Sequence, residues 1–130
     1  MRAIMALIWI FASTSAMAAG SSAGYGGGGV PGPFVTMVQQ YNQSGEPFHI
    51  VGHCQSSCTI FLAIRNVCIE PGATLLFHAA GRPATTSIMR SSYNAALSAY
   101  LEEHHALDTG TFFTISAAEM TGKFGYKRCR

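Results

Sequence analysis

The chain of 130 residues is long enough for one domain. With 48% hydrophobic and 11% charged residues it is too apolar for general disorder. Its net charge of +2 gathers Lys123, Lys127, Arg128 and Arg130 at the C-terminus, a tail too short and too poor in aromatics to act as a nucleic-acid surface. An enzyme, a binding module and a small structural protein all remain open.

Met1-Arg2 is followed by the apolar run Ala3 to Ala12 and by the small-x-small triplet Ala16-Met17-Ala18. One positive charge, a short apolar stretch and a small-residue cleavage site predict a secretory leader over 1–18, cut before Ala19. A membrane anchor fits less well, because the run meets Ser13, Thr14 and Ser15 well before the roughly 20 apolar residues that a span requires. The mature chain is then roughly 112 residues and exported, periplasmic or secreted.

Residues 19–27 are rich in Gly, Ser and Ala and read as a flexible linker; residues 28–130 form the domain. Pro33 suits the first turn of a helix, and Phe34, Met37, Val38 and Tyr41 give it one apolar face up to Gly45. Residues 48–51 predict a strand broken by Gly52. Ser56 is placed to cap a second helix that carries Ile60, Phe61, Leu62 and Ile64. Strands are expected over 67–69 and 74–78, around the Pro71-Gly72 turn, with a loop over 79–86. Ser87 then opens a helix of roughly 18 residues showing Ile88, Tyr93, Leu97, Tyr100 and Leu101. Residues 112–115 predict a last strand, and Ser116-Ala117-Ala118-Glu119 has the capping-box spacing. The order of elements is that of an α/β domain. No internal repeat is visible.

Cys54, Cys58, Cys68 and Cys129 form an even set in a short chain bound for an oxidising space, so disulfides are expected. Four cysteines allow three pairings, and Cys58–Cys68 with Cys54–Cys129 is the preferred one, tying the tail to the core. A zinc site of Cys54 and Cys58 with His49 or His53 is the sharper alternative, but it lacks the paired short spacings of zinc motifs. Thiol–disulfide exchange at Cys54 and Cys58 lacks the Cys-x-x-Cys spacing. No metal or organic cofactor is expected.

Three features carry chemistry. Ser56 lies where a strand enters an apolar helix, beside free backbone N–H groups; His78 ends a strand; and Gly26 to Gly29 let backbone amides approach a ligand. Together they hold the parts of acyl transfer: nucleophile, base and oxyanion hole. Each also has a plainer role, as helix cap, strand-end histidine and linker. His104-His105 beside Glu102 and Glu103 reads as a solvated polar face.

Gly28-Gly29-Val30 before a helix, Gly52-His53-Cys54-Gln55-Ser56-Ser57-Cys58-Thr59 at a strand-to-helix turn, and Pro71-Gly72 leading into Leu75-Leu76-Phe77-His78 resemble the Clp-protease catalytic-subunit and crotonase superfamily. The likeness is greatest to small exported alphaproteobacterial proteins of that superfamily. It covers roughly residues 26–130 and implies a reduced crotonase-like α/β domain with a short sheet flanked by helices. On it Ser56 is the nucleophile, His78 the base, and the Gly29 and Ser57 amides the oxyanion hole. More faintly, Ile115-Ser116-Ala117-Ala118-Glu119 and Phe124-Gly125-Tyr126 resemble the segment closing the Clp-type domain, which makes the upstream Asp108 the triad acid. A shift of one position would exchange Ser56 and Ser57. The resemblance implies an exported peptidase-like serine hydrolase acting on a peptide or a small ester or amide, with self-association left open. The alternative is a non-catalytic exported module that binds a protein or envelope partner on the same scaffold.

Overall fold

The structure, a computed structural model, describes residues 19–130; the leader expected over 1–18 lies outside them. Phe48 and Ile50 are fully buried while His49 between them is not, the period of a strand with one face on a core. This strand, β2 (Phe48–Ile50), turns at Gly52, whose φ of 58° favours glycine, into β3 (His53–Gln55) and then a 3₁₀ helix (Ser56–Ala63). The next stretch repeats the layout: β4 (Val67–Ile69), the Pro71-Gly72 turn, β5 (Thr74–Phe77), then α2 (Pro83–Ser91). The two units stack in register. His49 lies beside Cys68 in one sheet and Cys54 beside Leu75 in the other, both pairings parallel. Around them are β1 (Gly20–Ser21), α1 (Pro31–Ser44), α3 (Ala95–Glu103), β6 (Phe113–Ser116), α4 (Ala117–Lys123) and β7 (Lys127–Arg128).

The result is a mixed α/β fold with two sheets, β1-β2-β4-β7 and β3-β5-β6, in which β6 alone runs antiparallel. Its core is aromatic and aliphatic: Phe48, Phe61, Phe77, Ile50, Ile69 and Leu75 are fully buried. Phe61 packs against Phe48 and Phe34, with ring centroids 4.6 and 5.2 Å apart, the spacing at which aromatic pairs gain beyond their buried area.

The glycine-rich segment is not a free linker. Gly20 N–H donates to Pro47 O at 3.1 Å, Ser22 N–H to His49 O at 2.9 Å, and Val51 N–H to the Ser22 hydroxyl at 2.9 Å. Tyr25 then sets its ring edge-on to Phe34 and Phe61. Here glycine serves close approach: a Cβ at Gly26 would stand 2.1 Å from His53 O, and one at Gly20 would collide with the Tyr41 ring.

Other expectations change as well. The expected 18-residue helix is two, α2 and α3, because Asn94 accepts from Leu97 N–H and starts a fresh helix. Pro83, not Ser87, opens α2. The second expected helix is 3₁₀, and its cap position is Gln55, with no side-chain cap. As expected, Gly45 closes α1 in the left-handed conformation, and Ser116 Oγ accepts from Glu119 N–H.

The disulfides are Cys54–Cys58 and Cys68–Cys129, not the expected Cys58–Cys68 and Cys54–Cys129. The reason is register: β7 pairs with β4 so that Cys68 faces Lys127, and Cys129 N–H donates to Ile69 O. This brings Cys129 to Cys68, while Cys54 and Cys58 meet across the turn at Ser56. The two sulfurs of the zinc alternative are thus joined to each other. His53 bonds Gln55 and His49 bonds Glu70. Among the described residues no helix is long and apolar enough to cross a membrane.

The two bridges close loops of very different size, with sequence separations of 4 and 61. Chain-entropy arguments give about 2 kcal/mol for the short loop and about 4 kcal/mol for the long one. In urea unfolding, Cys68→Ser with Cys129→Ser should therefore lose more stability than Cys54→Ala with Cys58→Ala. The reverse order would show that the short bridge acts through native packing.

Candidate functional site

Ser56 has a φ of 54°, in the left-handed region that non-glycine residues avoid at a cost of about 1–2 kcal/mol. Several contacts hold it there. Cys54–Cys58 spans the turn. Thr59 Oγ1 donates to Ser56 O at 2.7 Å, and Thr59 Oγ1 and Tyr93 Oη lie 2.6 Å apart. Since the threonine proton is spent on Ser56 O, Tyr93 is the donor in that second bond. Burial pushes the Tyr93 phenol well above its ordinary range and keeps it protonated for this role.

The glycine segment braces the turn from the other side. Gln55 N–H donates to Gly26 O at 2.9 Å, Gln55 Nε2 to Gly27 O at 3.1 Å, and Ser57 Oγ to Gly29 O at 2.6 Å. Gly28, with φ 73°, lies so close that a Cβ would stand 2.9 Å from Gln55 O. The two serines thereby take separate roles. The Ser57 hydroxyl is fully buried and committed to Gly29; the half-buried Ser56 side chain makes no hydrogen bond among the described residues. Of the pair, Ser56 is the free hydroxyl.

Gly29, Ser56, Ser57 and His78 all line one cleft of about 640 Å³. Gly29 N–H finds no acceptor among the described residues. Ser57 N–H lies in the first turn of the 3₁₀ helix, ahead of its i→i+3 ladder. Two residues of the cleft lining therefore carry main-chain N–H groups left outside the helical and turn hydrogen bonds. His78, just past β5, packs against Phe112 with centroids 4.6 Å apart and ring planes tilted by 39°, and its Nε2 is buried without a partner among the described residues. Such an orphaned buried nitrogen costs about 1–3 kcal/mol.

Asp108 does not join this group. Its carboxylate meets His105 Nδ1 at 2.9 Å and the Arg90 guanidinium at 3.8 Å, and it does not line the cleft. Its segment does pass close to His78, since Ala79 N–H donates to Thr109 O at 2.7 Å, but the residue against the imidazole is Phe112. No hydrogen bond joins Ser56 to His78 among the described residues. Sequence reasoning missed Phe112 and the cleft wall formed by Val30, Ala80, Arg82, Ala84 and Ile88. The only signal for the wall was the run of small residues after His78. No protein-family model and no curated protein matches the chain.

The left-handed turn has a measurable consequence. Ser56→Gly should raise stability by about 1 kcal/mol in chemical unfolding, because glycine takes this φ without steric cost. Ser56→Ala, which retains the strain, should not. A loss of stability in the glycine variant would mean the turn is not strained at Ser56.

Proposed function

We propose that this protein is an exported serine hydrolase on a reduced Clp-protease-like, crotonase-like α/β scaffold. The observation that carries the reading is the shared cleft: Ser56, with a free hydroxyl on a left-handed turn, His78, whose buried Nε2 has no partner among the described residues, and Gly29 and Ser57 all line one space. The stacked strand–strand–helix units and the two disulfides are compatible with the scaffold and with an oxidising compartment.

In the proposed reaction Ser56 Oγ attacks the carbonyl carbon of an ester or amide, and His78 takes the serine proton. The developing oxyanion receives hydrogen bonds from Gly29 N–H and Ser57 N–H, both on backbone fixed before substrate arrives. The tetrahedral intermediate expels the alcohol or amine, which leaves with the proton from His78. Water then attacks the acyl-serine, His78 again moving the proton, and the carboxylic acid departs. Phe112 packs against the imidazole ring, and no carboxylate of the described residues bonds it as a triad acid would.

The non-catalytic binding module is the second reading, favoured by the missing Ser56–His78 hydrogen bond and by the engagement of Asp108 with Arg90 and His105. A fluorophosphonate probe separates the two. The oxidised protein should be labelled at Ser56, Ser56→Ala should abolish labelling, and His78→Ala should slow it by about a hundredfold or more. Asp108→Asn should leave the rate unchanged. Folded protein that resists the probe, or labelling that survives Ser56→Ala, overturns the hydrolase.

A further inference from the structure

We infer that the cleft takes a ligand bearing a negative charge: on the hydrolase reading, a small-side-chain peptide or ester that carries a carboxylate on its acyl side. The inference about charge starts from Arg82, the one lysine or arginine on the lining of the cleft. It is exposed and has no ion-pair partner among the described residues.

The acidic residues lie elsewhere. Glu70 pairs with His49, Asp108 with Arg90 and His105, and Glu119 with Lys123. Glu46 follows α1, while Glu102 and Glu103 end α3. These are all six of the chain's carboxylate side chains, and none borders the cleft. A concave site with one uncompensated positive charge concentrates anions and orients them.

The rest of the wall limits the body of the ligand. Ala80, Gly81 and Ala84 are small, and Val30, 75% exposed, joins Ile88 as an apolar surface. A short aliphatic acyl group lies against such a wall, while a second acidic function on the same molecule reaches Arg82. Arg82 is a specificity residue here and takes no part in bond making.

Succinyl-dialanine p-nitroanilide and its acetyl counterpart differ chiefly by one carboxylate and serve as probes. Titrated into Ser56→Ala protein and followed by NMR, the succinyl compound should bind about threefold to tenfold tighter at low salt. The gap should narrow in about 0.5 M salt, and close in Arg82→Gln. Equal binding of the two probes, no binding of either at millimolar concentration, or a preference that survives Arg82→Gln overturns the inference. Charge-selective binding without turnover by the unmutated protein removes the hydrolase and leaves the anion site. Turnover without charge preference does the opposite.

Discussion

The docking of residues 26–29 against the turn at Ser56 sets the geometry of everything near the cleft. Gln55 is tied to Gly26 and Gly27, Ser57 to Gly29, and Gly28 has no room for a side chain. These contacts carry a left-handed serine that would otherwise relax, with Cys54–Cys58 and the Tyr93–Thr59–Ser56 hydrogen-bond chain closing the other sides. The same contacts fix the backbone at Gly29 and Ser57, which both line the cleft. A bend strained by about 1–2 kcal/mol is cheap to hold when several hydrogen bonds and a covalent bridge converge on it.

The outer edge of the fold solves a different problem. A two-residue strand such as β7, with both side chains exposed, buries too little to stay on a sheet by itself. Cys129, just beyond it, is buried and bonded to Cys68 of β4, which turns a weak edge into a fixed one. The C-terminal segment is held a second time through Asn94, whose side-chain amide donates to Phe124 O and whose backbone N–H donates to Tyr126 Oη. The break between α2 and α3 is therefore part of the tail's anchorage. Burial raises the pKa of the Tyr126 phenol, leaving it protonated beside this anchor.

What the sequence made legible was local. Gly45 ends α1 because a left-handed C-cap favours glycine, and Pro71-Gly72 turns between β4 and β5 as such dipeptides do. The apolar face of Phe34 and its neighbours packs as its spacing implies. What stayed hidden depends on distant partners. Glycine suits a flexible linker and a tight backbone contact equally, so composition could not reveal that Gly26 lies against His53. The disulfide pairing followed from strand register, and β3 and β7 are too short to show alternation. The repeat of two strand–strand–helix units leaves little sequence trace, because each unit is set by a turn and a few buried residues. At the site, Ser56, Ser57, Gly29 and His78 line one cleft, whereas Asp108 is drawn off by Arg90 and His105, charges that a linear reading does not bring together.

Two costs meet at the cleft and nowhere else on its wall: the backbone strain at Ser56 and the buried Nε2 of His78 without a partner. Neither helps the fold, since glycine would remove the first and an apolar side chain the second. A scaffold kept only for its shape would shed both by single substitutions worth about a kilocalorie each or more. That they occur together in residues lining one cleft favours a site shaped for a bound group over one left by packing. Phe112 packs against the His78 ring, the two planes tilted by 39°, and brings no charge to it. On the proposed hydrolase reading, a serine–histidine pair built this way works more slowly than a full triad and depends correspondingly more on the Gly29 and Ser57 amides.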